Sequence, residues 1–119
     1  MVTSHAEPSD VLDRYLEAHA ANALEDVIAL FEEEAWVEDP VDSPIHRGIE
    51  AIRDFYGATH RNNGPMKIER VGPALARGRE IVCHVRAALD KIGSPPAMDV
   101  IYVIRLGRSG RIESLRAWF

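Results

Sequence analysis

The sequence predicts an α+β fold, in which one curved sheet, mixed but mainly antiparallel, wraps over three helices. Three observations predict it. Apolar residues recur three and four positions apart through the first half of the chain, the spacing changes to two after Pro65, and no repeat or low-complexity tract interrupts that order. With 119 residues, 46% of them hydrophobic and 28% charged, the chain has the size and composition of one compact domain with one core, covering residues 1–119.

Residues 1–8 read as a flexible leader. Pro8-Ser9-Asp10 then supplies a hydroxyl and a carboxylate that can cap the first free amides of a helix running to about Ala21. Its apolar stripe is Leu12, Tyr15, Leu16 and His19, so Tyr15 is buried and only its phenol needs a partner. Asn22 followed by Glu25 resembles a capping box and opens a second helix, with Leu24, Val27, Ile28 and Phe31 as its stripe. The Glu32-Glu33-Glu34 run reads as the solvated end of that helix. A strand over 35–39 follows and stops at Pro40, which has no amide proton for a ladder. Ile49, Ile52, Phe55 and Tyr56 give the third helix, ended by Gly57 or by the Asn62-Asn63-Gly64-Pro65 cluster. Strands at about 66–71, 81–89, 97–106 and 111–119 complete the chain, with turn residues between them at Gly78, Gly93-Ser94-Pro95 and 107–110.

Strand parity selects the candidate chemistry. Asp39 faces the same way as Val37 and Ala35 while Glu38 faces the other way, so only Asp39 is aimed at the interior, where desolvation makes a carboxylate a better base. Met98, Val100, Tyr102, Ile104 and Leu106 share a face of their strand, which turns Tyr102 inward and Asp99 to solvent. By the same count Leu115, Ala117 and Phe119 share a face of the last strand, with Phe119 among core residues. The carboxylate of Asp39 and the phenols of Tyr15 and Tyr102 converge among Phe31, Phe55, Tyr56 and Phe119. A lone base, phenol donors and apolar walls suit proton abstraction beside the carbonyl of a flat, uncharged substrate.

Composition narrows the alternatives. A net charge of -5 with scattered Lys and Arg does not suit a nucleic-acid surface, and no apolar run reaches the length of a membrane span. Without a secretion signal at the start, a cytoplasmic location is expected. Of the five histidines, His19 is on an apolar stripe and the others are assigned to loops, the leader or a strand; none has the spacing of a metal pair. No metal or other cofactor is expected. Cys83 shares a strand face with Ile81, Val85 and Ala87 and reads as an inert core thiol.

Several separated segments resemble the ketosteroid isomerase family, within the nuclear-transport-factor-like or cystatin-like superfamily. They are Arg14-Tyr15, Val37-Glu38-Asp39-Pro40-Val41, His46-Arg47-Gly48, Ala51-Ile52-Arg53-Asp54-Phe55-Tyr56, Met98-Asp99-Val100-Ile101, Gly110-Arg111-Ile112 and Ala117-Trp118-Phe119. The resemblance implies a cone-shaped barrel, a homodimer, Asp39 as the shuttling base, Tyr15 as principal oxyanion donor, and Phe31, Phe55, Val100 and Phe119 around the substrate. In that family a protonated carboxylic acid is the second donor. Here Tyr102 aligns with it, and Asp99 lies three residues upstream. Phe31 stands where some members have a tyrosine supporting the oxyanion phenol, which leaves Tyr56 for that role. Members of the family usually continue past the position of Phe119.

The expected function is a cofactor-independent isomerase that moves the double bond of a β,γ-unsaturated 3-oxosteroid into conjugation, acting on a small apolar substrate. Two alternatives stand beside it. A cyclase, dehydratase or epoxide hydrolase on the same scaffold would call for a second base, a His-Asp pair or a carboxylate group around a water, and strand parity offers no second inward carboxylate, which leaves a helix position such as Asp54; a ligand-binding or dimerisation module would have its oxyanion site closed by Tyr102.

Overall fold

The computed structural model describes residues 8–119, so the leader assigned to 1–8 lies outside the described residues except for Pro8. Pro8 opens the first helix. In chain order the elements are α1 (Pro8–Ala20), α2 (Leu24–Ile28), β1 (Phe31–Glu38), β2 (His46–Arg47), α3 (Ile49–Asn63), β3 (Met66–Arg70), β4 (Leu75–Arg77), β5 (Glu80–Leu89), β6 (Met98–Leu106) and β7 (Ile112–Trp118). The strands form one sheet in the order β2-β1-β7-β6-β5-β3, with β4 also on β5. β1 and β7 run parallel; the other pairs are antiparallel. This is the α+β architecture predicted above.

The helices bury the expected stripes. Leu12, Tyr15, Leu16 and His19 of α1 are enclosed, as are Ile52, Tyr56, Gly57 and His60 of α3. Gly57 does not stop its helix. The helix runs through it and ends instead at Gly64, which has φ +66 and bonds its N–H to the His60 carbonyl.

Several local expectations are corrected. Phe31 is buried as its spacing implied, but it begins β1 rather than ending a helix, because the backbone captures β7 at once: Ile112 N–H donates to the Leu30 carbonyl at 2.7 Å. Glu32, Glu33 and Glu34 therefore belong to β1, in the irregular stretch between the Phe31–Ile112 and Trp36–Ser114 pairs. The capping box does not form. Asn22 adopts φ +61 at the end of α1, a conformation Asn tolerates, and no side chain caps α2 at Ala23. The short strands β2 and β4 were not foreseen, since two or three residues carry no readable alternation.

On β6, Val100, Tyr102, Ile104 and Leu106 are buried while Asp99, Ile101 and Arg105 face solvent, as parity predicted. Met98 starts that inward face at the rim and is exposed. Phe119 is 59% exposed, against its expected place in the core, because the β6–β7 ladder ends at the Ile101–Trp118 pair and leaves the next residue unpaired. No described helix is long and apolar enough to cross a membrane.

Candidate active site

Glu38 and Asp39 are neighbours in sequence with opposite environments. Glu38 accepts hydrogen bonds from Arg116 Nε at 2.8 Å and from the Asp42 amide at 3.0 Å, and the Arg116 bond foremost holds its pKa below the usual value. Asp39 follows the buried residues Ala35 and Val37 on the other face and accepts no hydrogen bond from the described residues. Burial pushes its carboxyl up to about 6. The chain beyond it is fixed to the sheet, with the Val41 amide donating to the Ala117 carbonyl at 2.8 Å.

Asp39 opens on a cavity of about 290 Å³ between the helices and the sheet. Tyr56 from α3 and Tyr102 from β6 also line it, as do Phe55, Val100 and Phe119 among its apolar walls. Tyr102 fits inward because its neighbours across the ladder, Cys83 on β5 and Ala117 on β7, are small. Tyr15 lies behind this wall. Its hydroxyl is 2.8 Å from that of Tyr56, its ring meets Tyr102 edge to face at 5.4 Å between centroids, and its side chain is fully enclosed. Phe31 packs on Tyr15 and Tyr56 from the core side and does not line the cavity, contrary to its expected place in the substrate pocket.

All three phenols are held well toward the neutral form, in each case by burial first, and the charge of Asp39 adds to this. They are therefore O–H donors at ordinary pH. A carboxylate held near neutrality faces a group of neutral donors across an apolar space, an arrangement able to move a proton and to hold the oxygen on which negative charge develops.

Residues 12–115 match the SnoaL-like domain family. The chain belongs to that family. It is 30% identical over 118 residues to a steroid Delta-isomerase of Nocardioides simplex, covering 96% of this chain and 90% of the relative. Among solved structures, the epoxide hydrolase/cyclase-like enzyme SalBIII, described for pyran ring formation in the polyether salinomycin, superposes with a TM-score of 0.79 at 21% identity. That match covers 93% of this chain and 88% of the other, and it speaks for the fold alone.

The remaining candidates of this SnoaL-like chain separate cleanly. Asp99 lies outside the cavity, where His84 Nε2 at 2.8 Å and Arg86 at 3.2 Å hold its carboxyl below the usual value. Asp54 is exposed on α3 and supplies no second inward base. Cys83 is buried, and burial raises its thiol pKa. A groove of about 440 Å³ on the outer side of α1 and α2 is flanked by Arg14, Glu17 and Asp26 and lies away from the inward carboxylate and phenols. Among the described residues, no group of three or more His, Cys, Asp and Glu side chains is arranged to hold a metal ion.

Sequence reasoning missed one pair. His60 belongs to α3, not to a loop or strand, and its Nε2 lies 3.0 Å from His19 Nδ1 inside the fold. The available signal was spacing: His19 follows Tyr15 by four residues and His60 follows Tyr56 by four, which puts each on the face of its tyrosine.

Proposed function

We propose that this SnoaL-like protein is a cofactor-independent isomerase that moves the double bond of a β,γ-unsaturated 3-oxosteroid into conjugation. One observation carries the reading: Asp39 is a lone carboxylate without a hydrogen-bonding partner among the described residues, raised to about 6, on a cavity that neutral phenols also wall. The similarity to a steroid Delta-isomerase over nearly the whole chain supports it.

Asp39 removes the proton from the carbon between the carbonyl and the alkene. The released electron pair runs into the carbonyl oxygen and forms a dienolate. Asp39 then returns the same proton to the far carbon of the allylic system, the carbonyl re-forms, and the alkene ends in conjugation. Tyr102 holds the oxyanion from the cavity wall. Tyr15 stabilises it from behind, with its hydroxyl kept in place by Tyr56. A cavity of about 290 Å³ is at the small end for ligand pockets, which run from about 300 Å³, so it encloses the ring that bears the carbonyl while the remainder passes Met98 and Phe119 at the rim.

The test is to mix purified protein with a β,γ-unsaturated ketosteroid and follow the ultraviolet absorption of the conjugated enone. Growth that depends on enzyme concentration and is lost in Asp39→Asn is expected. No growth above buffer at high enzyme concentration overturns the isomerase reading.

A further inference from the structure

Two hydrogen bonds stacked one helical turn apart join α1 to α3 inside the fold. Tyr15 and Tyr56 form the first at 2.8 Å, and His19 and His60 form the second at 3.0 Å. The mechanism above uses only the first. His19 nevertheless lines the cavity, and its ring makes no hydrogen bond among the described residues other than the one to His60.

A neutral imidazole carries one N–H and one bare nitrogen. If His19 Nδ1 donated to His60 Nε2, His60 would hold its own proton on Nδ1, an atom that is enclosed and has no partner. The opposite direction leaves only a bare nitrogen there, and an orphaned buried N–H is the rarer and costlier arrangement. His60 therefore donates to His19 Nδ1. His19 must then carry its proton on Nε2, the nitrogen that His60 does not engage. Burial lowers the His19 pKa to about 4, and nearby His60 adds to this, so the ring is neutral as well as a donor.

We propose that His19 donates this hydrogen bond to the ligand, and that the ligand accordingly carries a second acceptor oxygen besides its reacting carbonyl. The inference deepens the proposed function and rests on it for the carbonyl end of the ligand. Tyr15 and His19 stand one helical turn apart on α1, with their ring centroids 5.6 Å apart. The wall itself is two-sided. Thr59 and Asn63 continue the polar side along α3 at three and seven residues from Tyr56, while Met66, Ile68 and Ala87 form an apolar side. Such a cavity selects an oxygenated ring compound over its hydrocarbon-like analogue.

The test reads binding rather than turnover. Equilibrium affinity for 2-naphthol is compared with that for dihydroxynaphthalenes carrying the second hydroxyl at successive ring positions. One isomer is expected to bind the native protein about tenfold more tightly than 2-naphthol, the size of one well-made hydrogen bond. The gain should vanish in a His19→Leu/His60→Leu double variant, in which both partners become apolar and neither is orphaned, while 2-naphthol itself binds within about twofold of native. A His19→Phe/His60→Leu variant, which keeps a ring but no donor, should lose the gain in the same way. Gain for no isomer, a gain that survives in both variants, or no measurable binding of any naphthol overturns the proposal. A His19-dependent gain without isomerase activity refutes the proposed reaction but not this donor; isomerase activity without the gain refutes only the donor.

Discussion

Tyr102 lies on the cavity wall and Tyr15 directly behind it, their rings edge to face with centroids 5.4 Å apart. A ligand oxygen therefore meets Tyr102 first. Tyr102→Phe is expected to lower turnover by about 100- to 1000-fold, the usual loss for one oxyanion donor, whereas Asp99→Asn on the outer face changes it by no more than about twofold. Steady-state kinetics on the two variants checks this order, and the reverse order would assign the donor role to Asp99.

In the proposed reaction Asp39 links activity to stability through one titration. Burial raises its pKa from 3.8 to about 6, so between those values the folded state binds more proton than the unfolded state, and stability falls as pH rises through that window. Asp39→Asn should thus raise stability by on the order of 2 kcal/mol at pH 8 and by little at pH 4. The same variant should lower turnover by about 100-fold or more, since the base is gone. In the native protein kcat/KM for the proposed reaction should decline as pH falls below about 6, when the carboxylate takes up a proton. Denaturant melts at the two pH values and a pH–rate profile check both halves together.

Local rules carried well from sequence to site, and long-range pairing did not. Alternation along a strand separates Asp39 from Glu38 and Tyr102 from Asp99 without knowledge of any partner strand, and the burial of β6, and of β1 from Ala35 onward, follows it. Phe31 shows the limit. Its helical spacing correctly implied burial, but only the meeting of Leu30 with Ile112, from the far end of the chain, turns it into the first residue of a strand behind the tyrosines. Phe119 likewise has inward parity, but the ladder that would enforce it ends one residue earlier. His60 was hidden by Gly57, a residue that can end a helix and here lies inside one.

The histidine pair should make the protein acid-sensitive in the direction opposite to Asp39. Burial foremost lowers both rings, His19 from 6.5 to about 4, so the unfolded chain takes up protons first and stability is lost as pH falls below about 6.5 toward 4. Between pH 7 and pH 5, His19→Leu/His60→Leu should gain on the order of 1–2 kcal/mol relative to native protein. Urea unfolding of both proteins at the two pH values gives the difference, and parallel pH dependence in the two would mean that the pair is not held neutral by the fold.

The hydrogen bond between Tyr15 and Tyr56 spans 41 residues of sequence and ties α1 to α3 at a point where both side chains are fully enclosed. Removing one hydroxyl leaves the other buried without its partner, which costs about 1–3 kcal/mol, whereas removing both leaves two apolar rings of nearly unchanged shape. Tyr15→Phe and Tyr56→Phe should each destabilise by about 1–2 kcal/mol, and the double variant by no more than one of them alone. A double-mutant cycle in denaturant measures that coupling, and additive losses would show that the bond contributes nothing to stability.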